Sequence, residues 1–242
     1  MLHYGHFITE TMSRFWVEEI DRYDQVVFFP FVFANASTEL SSFHRILLNR
    51  VGVSDEKIRF LVDGVVFDRI TVPEALWKVN EHVHWSASRI YRRLGSAVRP
   101  DASPRRSKWI FLSRGRQLRQ RHPRRKRIEG IFRRAGFTIV YPEDLGFPEQ
   151  ERLYAGAEIL AGFAGSAMHN CVFCESGTLL IEIGDERTPN GFHPMQEMAN
   201  AVSGVVPVHF PFESAHGEKK RLWKLLRDSI EQAGLRRSMK TV

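Results

Sequence analysis

Cysteine is nearly absent from this chain of 242 residues: Cys171 and Cys174 are the only two, spaced as a CxxC with no second pair. That count excludes a disulfide scaffold and an all-cysteine zinc site. The pair falls in an apolar segment expected to be a buried helix, where cysteine serves as a small apolar residue; a redox pair or half a zinc site is the competing reading. Long apolar runs are missing too. The longest, residues 26–36, is too short to span a bilayer and is interrupted by Pro30. Residues 1–20 carry Glu10, Glu18 and Glu19 and lack the continuous apolar core of a signal peptide, so the chain reads as intracellular and cytoplasmic. No repeat or low-complexity segment occurs.

What is present is an ordinary globular composition, 43% hydrophobic and 26% charged, long enough for one large α/β domain or two small ones. Net charge is +7. Much of the excess lies between Arg105 and Arg134 and is densest at residues 114–121 and 124–127. Such a stripe favours a polyanion, a membrane surface or a phosphate-bearing substrate, against the default of a solvated loop and helix face.

Residues 158–184 organise the rest. A short apolar run breaks at Gly162, passes the turn Gly165-Ser166-Ala167, re-forms over residues 168–173, and is followed by a second buried run over 178–183. This reads as strand, glycine-rich turn, helix, strand: a βαβ unit whose loops lie at the carboxyl ends of parallel strands, where ligands of open α/β sheets bind. A Gly-Ser turn opening a helix suits a phosphate or another anion. The spacing is neither the dinucleotide fingerprint nor a Walker loop, so a tight packing turn stands as the equal alternative.

Around this unit the second half alternates regularly. Strands are expected at 109–112, 137–141 and 205–210, and helices at 124–135, 148–157, 195–202 and 219–233, a doubly wound pattern. Earlier, residues 1–20 read as a helix, 26–33 as a strand, 43–51 as a helix, 58–63 and 65–72 as strands, and 73–94 as a helix. The Pro-, Ser- and Arg-rich stretch divides the chain into residues 1–95, a linker at 96–107, and residues 108–242. His6 and Glu10 share one helix face. Such a pair acts as a general base with its orienting carboxylate, or is an exposed polar pair.

Several segments carry a family resemblance: WIFLSRG at 109–115, the basic segment behind it, residues 136–162, GSAMHNCVF at 165–173, GTLLIEIG at 177–184, and HYGHFITETMSRFW near the start. Together they resemble the family 61 glycosyltransferases, which include capsular-polysaccharide-type enzymes. The resemblance implies a GT-B fold, two Rossmann-like domains facing across a cleft, here with a small or trimmed N-terminal domain on the acceptor side. It further implies inverting transfer from a nucleotide-sugar donor with no cofactor and no metal. The residues agree, since no DxD-like pair stands at an expected strand end; Asp185 and Glu186 are adjacent and sit beside Arg187.

Carried onto this chain, the family pattern puts Ser113 and Arg114 at a strand end beside the donor diphosphate, where Arg114 stabilises the leaving group. It puts Gly165, Ser166, His169 and Asn170 over the donor, and Glu182 against ribose or sugar hydroxyls. Many relatives have a histidine where Ala164 stands, and His169 is the candidate to replace it. His6 is the expected general base and Glu10 its orienting partner. The implied partners are a nucleotide-sugar donor, a glycan or lipid-linked acceptor, and an anionic membrane at the cytoplasmic face touched by the basic stripe. Two other readings stay open: a nucleic-acid-binding protein using the stripe, disfavoured because it lacks interleaved aromatics, and a non-catalytic glycan-binding relative.

Overall fold

The computed structural model describes residues 4–29, 39–96, 108–114, 122 and 124–235. The chain divides into two compact units, Met1–Ala97 and Val98–Val242. The expected linker beyond Ser96, the end of the expected strand at 30–33 and the stripe residues 115–121 lie outside the described residues.

The first unit opens with a helix wound in three ways: α1 (Tyr4–His6), a π turn at Phe7–Thr11 and a 3-10 turn at Met12–Arg14. It is shorter than the expected 1–20, and a distant side chain explains its irregular winding. The buried Tyr91 hydroxyl donates to the carbonyls of Ile8 and Thr9 at 2.8 and 3.1 Å, which competes with the regular helical ladder and accompanies the π form. Next come β1 (Val26–Phe28), α2 (Ser42–Arg50) and β2 (Ile58–Phe60), with β1 and β2 paired in parallel. α2 is capped by Ser41, whose N–H donates to Nδ1 of His44 at 3.1 Å. Burial pushes the His44 imidazole down to about 4, so it stays neutral.

Two expectations for this unit fail. Residues 65–72 form no strand, because among the described residues no strand lies beside them; Val66, Ile70 and Val72 stay exposed. The expected helix over 73–94 is instead a small hairpin, β3 (Trp77–Lys78) with β4 (His82–Val83), followed by α3 (Ala87–Ser96). Asn80, at φ 64°, makes the tight turn that helix periodicity does not register.

The second unit follows its sequence pattern closely. Its elements run β5 (Lys108–Leu112), α4 (Arg125–Arg134), β6 (Thr138–Val140), α5 (Phe147–Ala155), β7 (Ala157–Phe163), a 3-10 helix (Met168–Phe173), β8 (Leu179–Ile183), α6 (Pro194–Ser203), β9 (Val206–Phe210), α7 (Phe212–His216) and α8 (Lys219–Gln232). The strands form one parallel five-stranded sheet in the order β6-β5-β7-β8-β9. Phe111, Ala161, Phe163, Ile181 and Ile183 on one face pack against Ile128 and Phe132 of α4 and Leu222, Leu226 and Ile230 of α8. On the alternate positions Leu112, Leu160 and Leu180 are buried as well, so both faces are covered, as continuous apolar strands require. This is a Rossmann-like α/β fold. Its strand order reverses between β5 and β7, and such a switch point opens a crevice at the carboxyl ends of the strands.

Candidate functional site

The two loops that flank the switch point are Ser113-Arg114 after β5 and Ala164-Gly165-Ser166 after β7. The structure brings them together. Arg114 donates from Nη1 to the carbonyl of Ala164 at 3.0 Å. Its guanidinium lies directly over Gly165, where an added Cβ would come within 2.8 Å of Nη1. Gly165 sits at φ 144°, a conformation that side-chain-bearing residues rarely adopt. The turn closes through the Met168 N–H bonding the Gly165 carbonyl at 2.8 Å, leaving Ser166 half-buried at its tip. Arg114, Gly165 and Ser166 therefore share one corner of the sheet edge. The helix behind the turn is a six-residue 3-10 helix rather than an α-helix, too short for a developed macrodipole. Positive charge at this corner comes from Arg114.

Ser113 faces the opposite way. It is buried, and its hydroxyl donates to Oε1 of Glu129 on α4 at 2.5 Å; Arg125 bonds the same oxygen at 3.0 Å and Tyr141 reaches Oε2 at 3.4 Å. Ser113 thus clips α4 to the end of β5. Glu129 was not visible as a partner in the sequence, where its only signal is a carboxylate on the apolar face of a helix.

His169 and Asn170 are buried in the 3-10 helix. His169 Nδ1 bonds Oε1 of Gln196 at 2.8 Å, and Gln196 Nε2 donates to Asn200 at 2.9 Å, which makes Nδ1 the protonated nitrogen of the imidazole. Asn170 Nδ2 donates to the Tyr154 hydroxyl at 3.3 Å. Both residues brace the glycine-serine turn against α5 and α6.

Glu182 lies on β8 in register with Gly162 of β7 and His209 of β9. Its carboxyl is buried and Oε1 has no hydrogen-bond partner. Burial, reinforced by the Asp185 carboxylate and only partly offset by Arg187, pushes it up to about 8, so Glu182 is protonated at neutral pH. Asp185 behaves oppositely. Burial opposes its charge, but the Arg187 side chain at 2.7 Å and the backbone N–H of Arg187 at 2.9 Å outweigh this and hold it ionised. Two carboxyl groups near one strand end are thus kept in different protonation states. Among the described residues no group of three or more His, Cys, Asp or Glu is placed to hold a metal ion.

In the first unit His6 and Glu10 meet as their spacing predicts, with Nδ1 to Oε2 at 2.5 Å. The pair is partly exposed, with side-chain exposures of 47% and 37%.

The fold and the corner at its switch point define a Rossmann-like parallel α/β protein, a class that binds its ligands at the carboxyl ends of the strands. Residues 4–181 match the family Glycosyltransferase 61, and the chain belongs to that family. His6, Glu10, Ser113, Arg114, Gly165, Ser166, His169 and Asn170 fall inside the matched stretch, and Glu182 lies one residue beyond it. A comparison with curated proteins gives no match. No described helix is long and apolar enough to cross a membrane.

Proposed function

We propose that this glycosyltransferase moves a sugar, with inversion and without a metal, from a nucleotide-sugar donor to a hydroxyl of a glycan or lipid-linked acceptor in surface polysaccharide biosynthesis. The observation that carries the reading is the Arg114 guanidinium held over Gly165 at the switch point. A fixed cation there pairs with the donor phosphates and takes up the charge that builds on the leaving group as the bond to the sugar breaks. Glu182, protonated and buried with an unpartnered oxygen, suits a ribose or sugar hydroxyl, which both donates and accepts. Ser166 at the tip of the turn offers a hydroxyl to the phosphates. His169 and Asn170 hold that turn, and Ser113 holds the strand end from which Arg114 projects.

His6 is the general base. Glu10 engages Nδ1, so the acceptor proton is taken at Nε2 while the acceptor oxygen attacks the anomeric carbon from the face opposite the leaving diphosphate. The reading assigns the acceptor side to the first unit and the donor side to the second, as in a GT-B enzyme, and a cytoplasmic location.

Metal-free calorimetric titration with UDP, GDP and CMP compounds tests the donor site. At least one should bind, and Arg114→Ala should weaken it at least about tenfold, the loss of a charge-assisted phosphate contact. A folded protein that binds none of them, or an Arg114→Ala variant that binds as the wild type does, removes the donor assignment.

A further inference from the structure

The basic charge that the sequence shows as one stripe is gathered by the fold from two distant stretches. Arg124 donates to the carbonyls of His216 and, at 3.1 Å, Gly217; Arg127 reaches the same two carbonyls at 2.9 and 2.6 Å. These bonds set the start of α4 against the junction of α7 and α8. The first turn of α8 follows immediately with Lys219, Lys220 and Arg221, all exposed. Neither these three nor the exposed Lys126 has an ion-pair partner among the described residues. The acidic groups of this corner are the exposed Glu213 and Glu218; Glu129 of α4 is already engaged by Arg125. Cations in the first turn of a helix oppose its dipole, so folding alone does not favour this trio.

We infer that this corner, built from Arg124, Lys126, Arg127, Lys219, Lys220 and Arg221, is a docking surface for an anionic lipid bilayer. Its charge complements such a surface, and half of it is carried by lysines, compact point charges suited to diffuse lipid charge rather than to forked recognition of a single group. No exposed aromatic residue of α4, α7 or α8 offers the stacking platform that a nucleic acid uses. The corner lies on the same edge of the sheet as Arg114 and Gly165, since α4 follows the carboxyl end of β5 and α7 and α8 follow that of β9. Docking there holds the switch-point edge at the membrane. The inference rests on surface charge and stands independently of the transferase reading.

Sedimentation with vesicles tests it, using phosphatidylcholine alone and phosphatidylcholine with about 30% phosphatidylglycerol. The protein should bind only the anionic vesicles and should be released at about 0.5 M salt, where exposed charges are screened. Combining Lys219→Gln, Lys220→Gln and Arg221→Gln should weaken binding about a hundredfold. The control pair Arg133→Gln and Arg134→Gln, at the other end of α4, should change it less than about threefold, because surface attraction falls off within a Debye length. The triple variant should melt no lower than the wild type, since its substitutions relieve an unfavourable dipole interaction. Equal binding to both vesicle types, retention in high salt, or equal losses in the triple variant and the control pair would each overturn the inference. So would salt-sensitive binding of duplex DNA without vesicle binding.

Discussion

At the scale of the residue, the proposed donor site rests on one absent side chain and one neutral acid. Gly165 has no Cβ, and its backbone takes a conformation that any other residue enters only with strain. Gly165→Ala should therefore cost about 1–3 kcal/mol in denaturant unfolding and displace Arg114, lowering nucleotide affinity as well. Glu182 sets a pH dependence of known sign. Its folded value of about 8 lies above the ordinary carboxylate range, so the folded protein binds an extra proton between roughly pH 4.5 and 8. Over that window Glu182 makes stability fall as pH rises. Burial lowers His44, His209 and His216, which contribute the opposite slope at more acidic pH. The difference between Glu182→Gln and the wild type isolates the acid: the variant should gain melting temperature relative to the wild type on going from pH 5 to 8.5. A constant difference across that range would show that Glu182 is not held neutral.

At the scale of the element, the end of β5 serves two purposes in adjacent residues. Ser113 points into the α4 side and Arg114 toward the turn after β7, as alternation along a strand dictates. Ser113→Ala should lose about 1 kcal/mol of stability with nucleotide affinity unchanged within about twofold, because Glu129 keeps Arg125. Glu129→Ala leaves the Arg125 guanidinium largely buried and unpaired and should cost about 3 kcal/mol, measured by chemical denaturation. The elements themselves are unequally legible in the sequence. Buried parallel strands are continuous apolar runs, so β5, β7 and β8 are plain in the sequence, whereas the half-exposed edge strand β9 is marked by its β-branched residues and the glycine before it. The first unit is less legible, because its strands are short and a strand needs a neighbour: residues 65–72 have the composition without the partner. Trp77 and Val83 fall within the expected helix, yet the left-handed turn at Asn80 folds them back on one another as cross-strand partners.

At the scale of the molecule, the proposed roles separate binding from chemistry. His6→Ala should lower turnover by about 10²–10⁴-fold while leaving nucleotide affinity in the second unit unaltered, measured by rate assays beside calorimetry. Loss of both together would point to misfolding of the first unit rather than loss of a base.

The sequence alone determined the main strands and helices of the second half and the His6–Glu10 pair, because periodicity and spacing along one chain record which face is apolar and which residues are near neighbours; its resemblance to family 61 supplied the family and the expectation that Arg114 meets the glycine turn. Tertiary structure alone decided that Ser113 serves Glu129, that Glu182 sits protonated beside Asp185, that Tyr91 meets the carbonyls of the N-terminal helix, and that Lys219 to Arg221 stand beside Arg124. All but one of these join polar groups well separated in the chain, and the protonation of Glu182 is set first by its burial. Hydrogen bonds and charge depend on distances that only packing sets, and no local pattern encodes them.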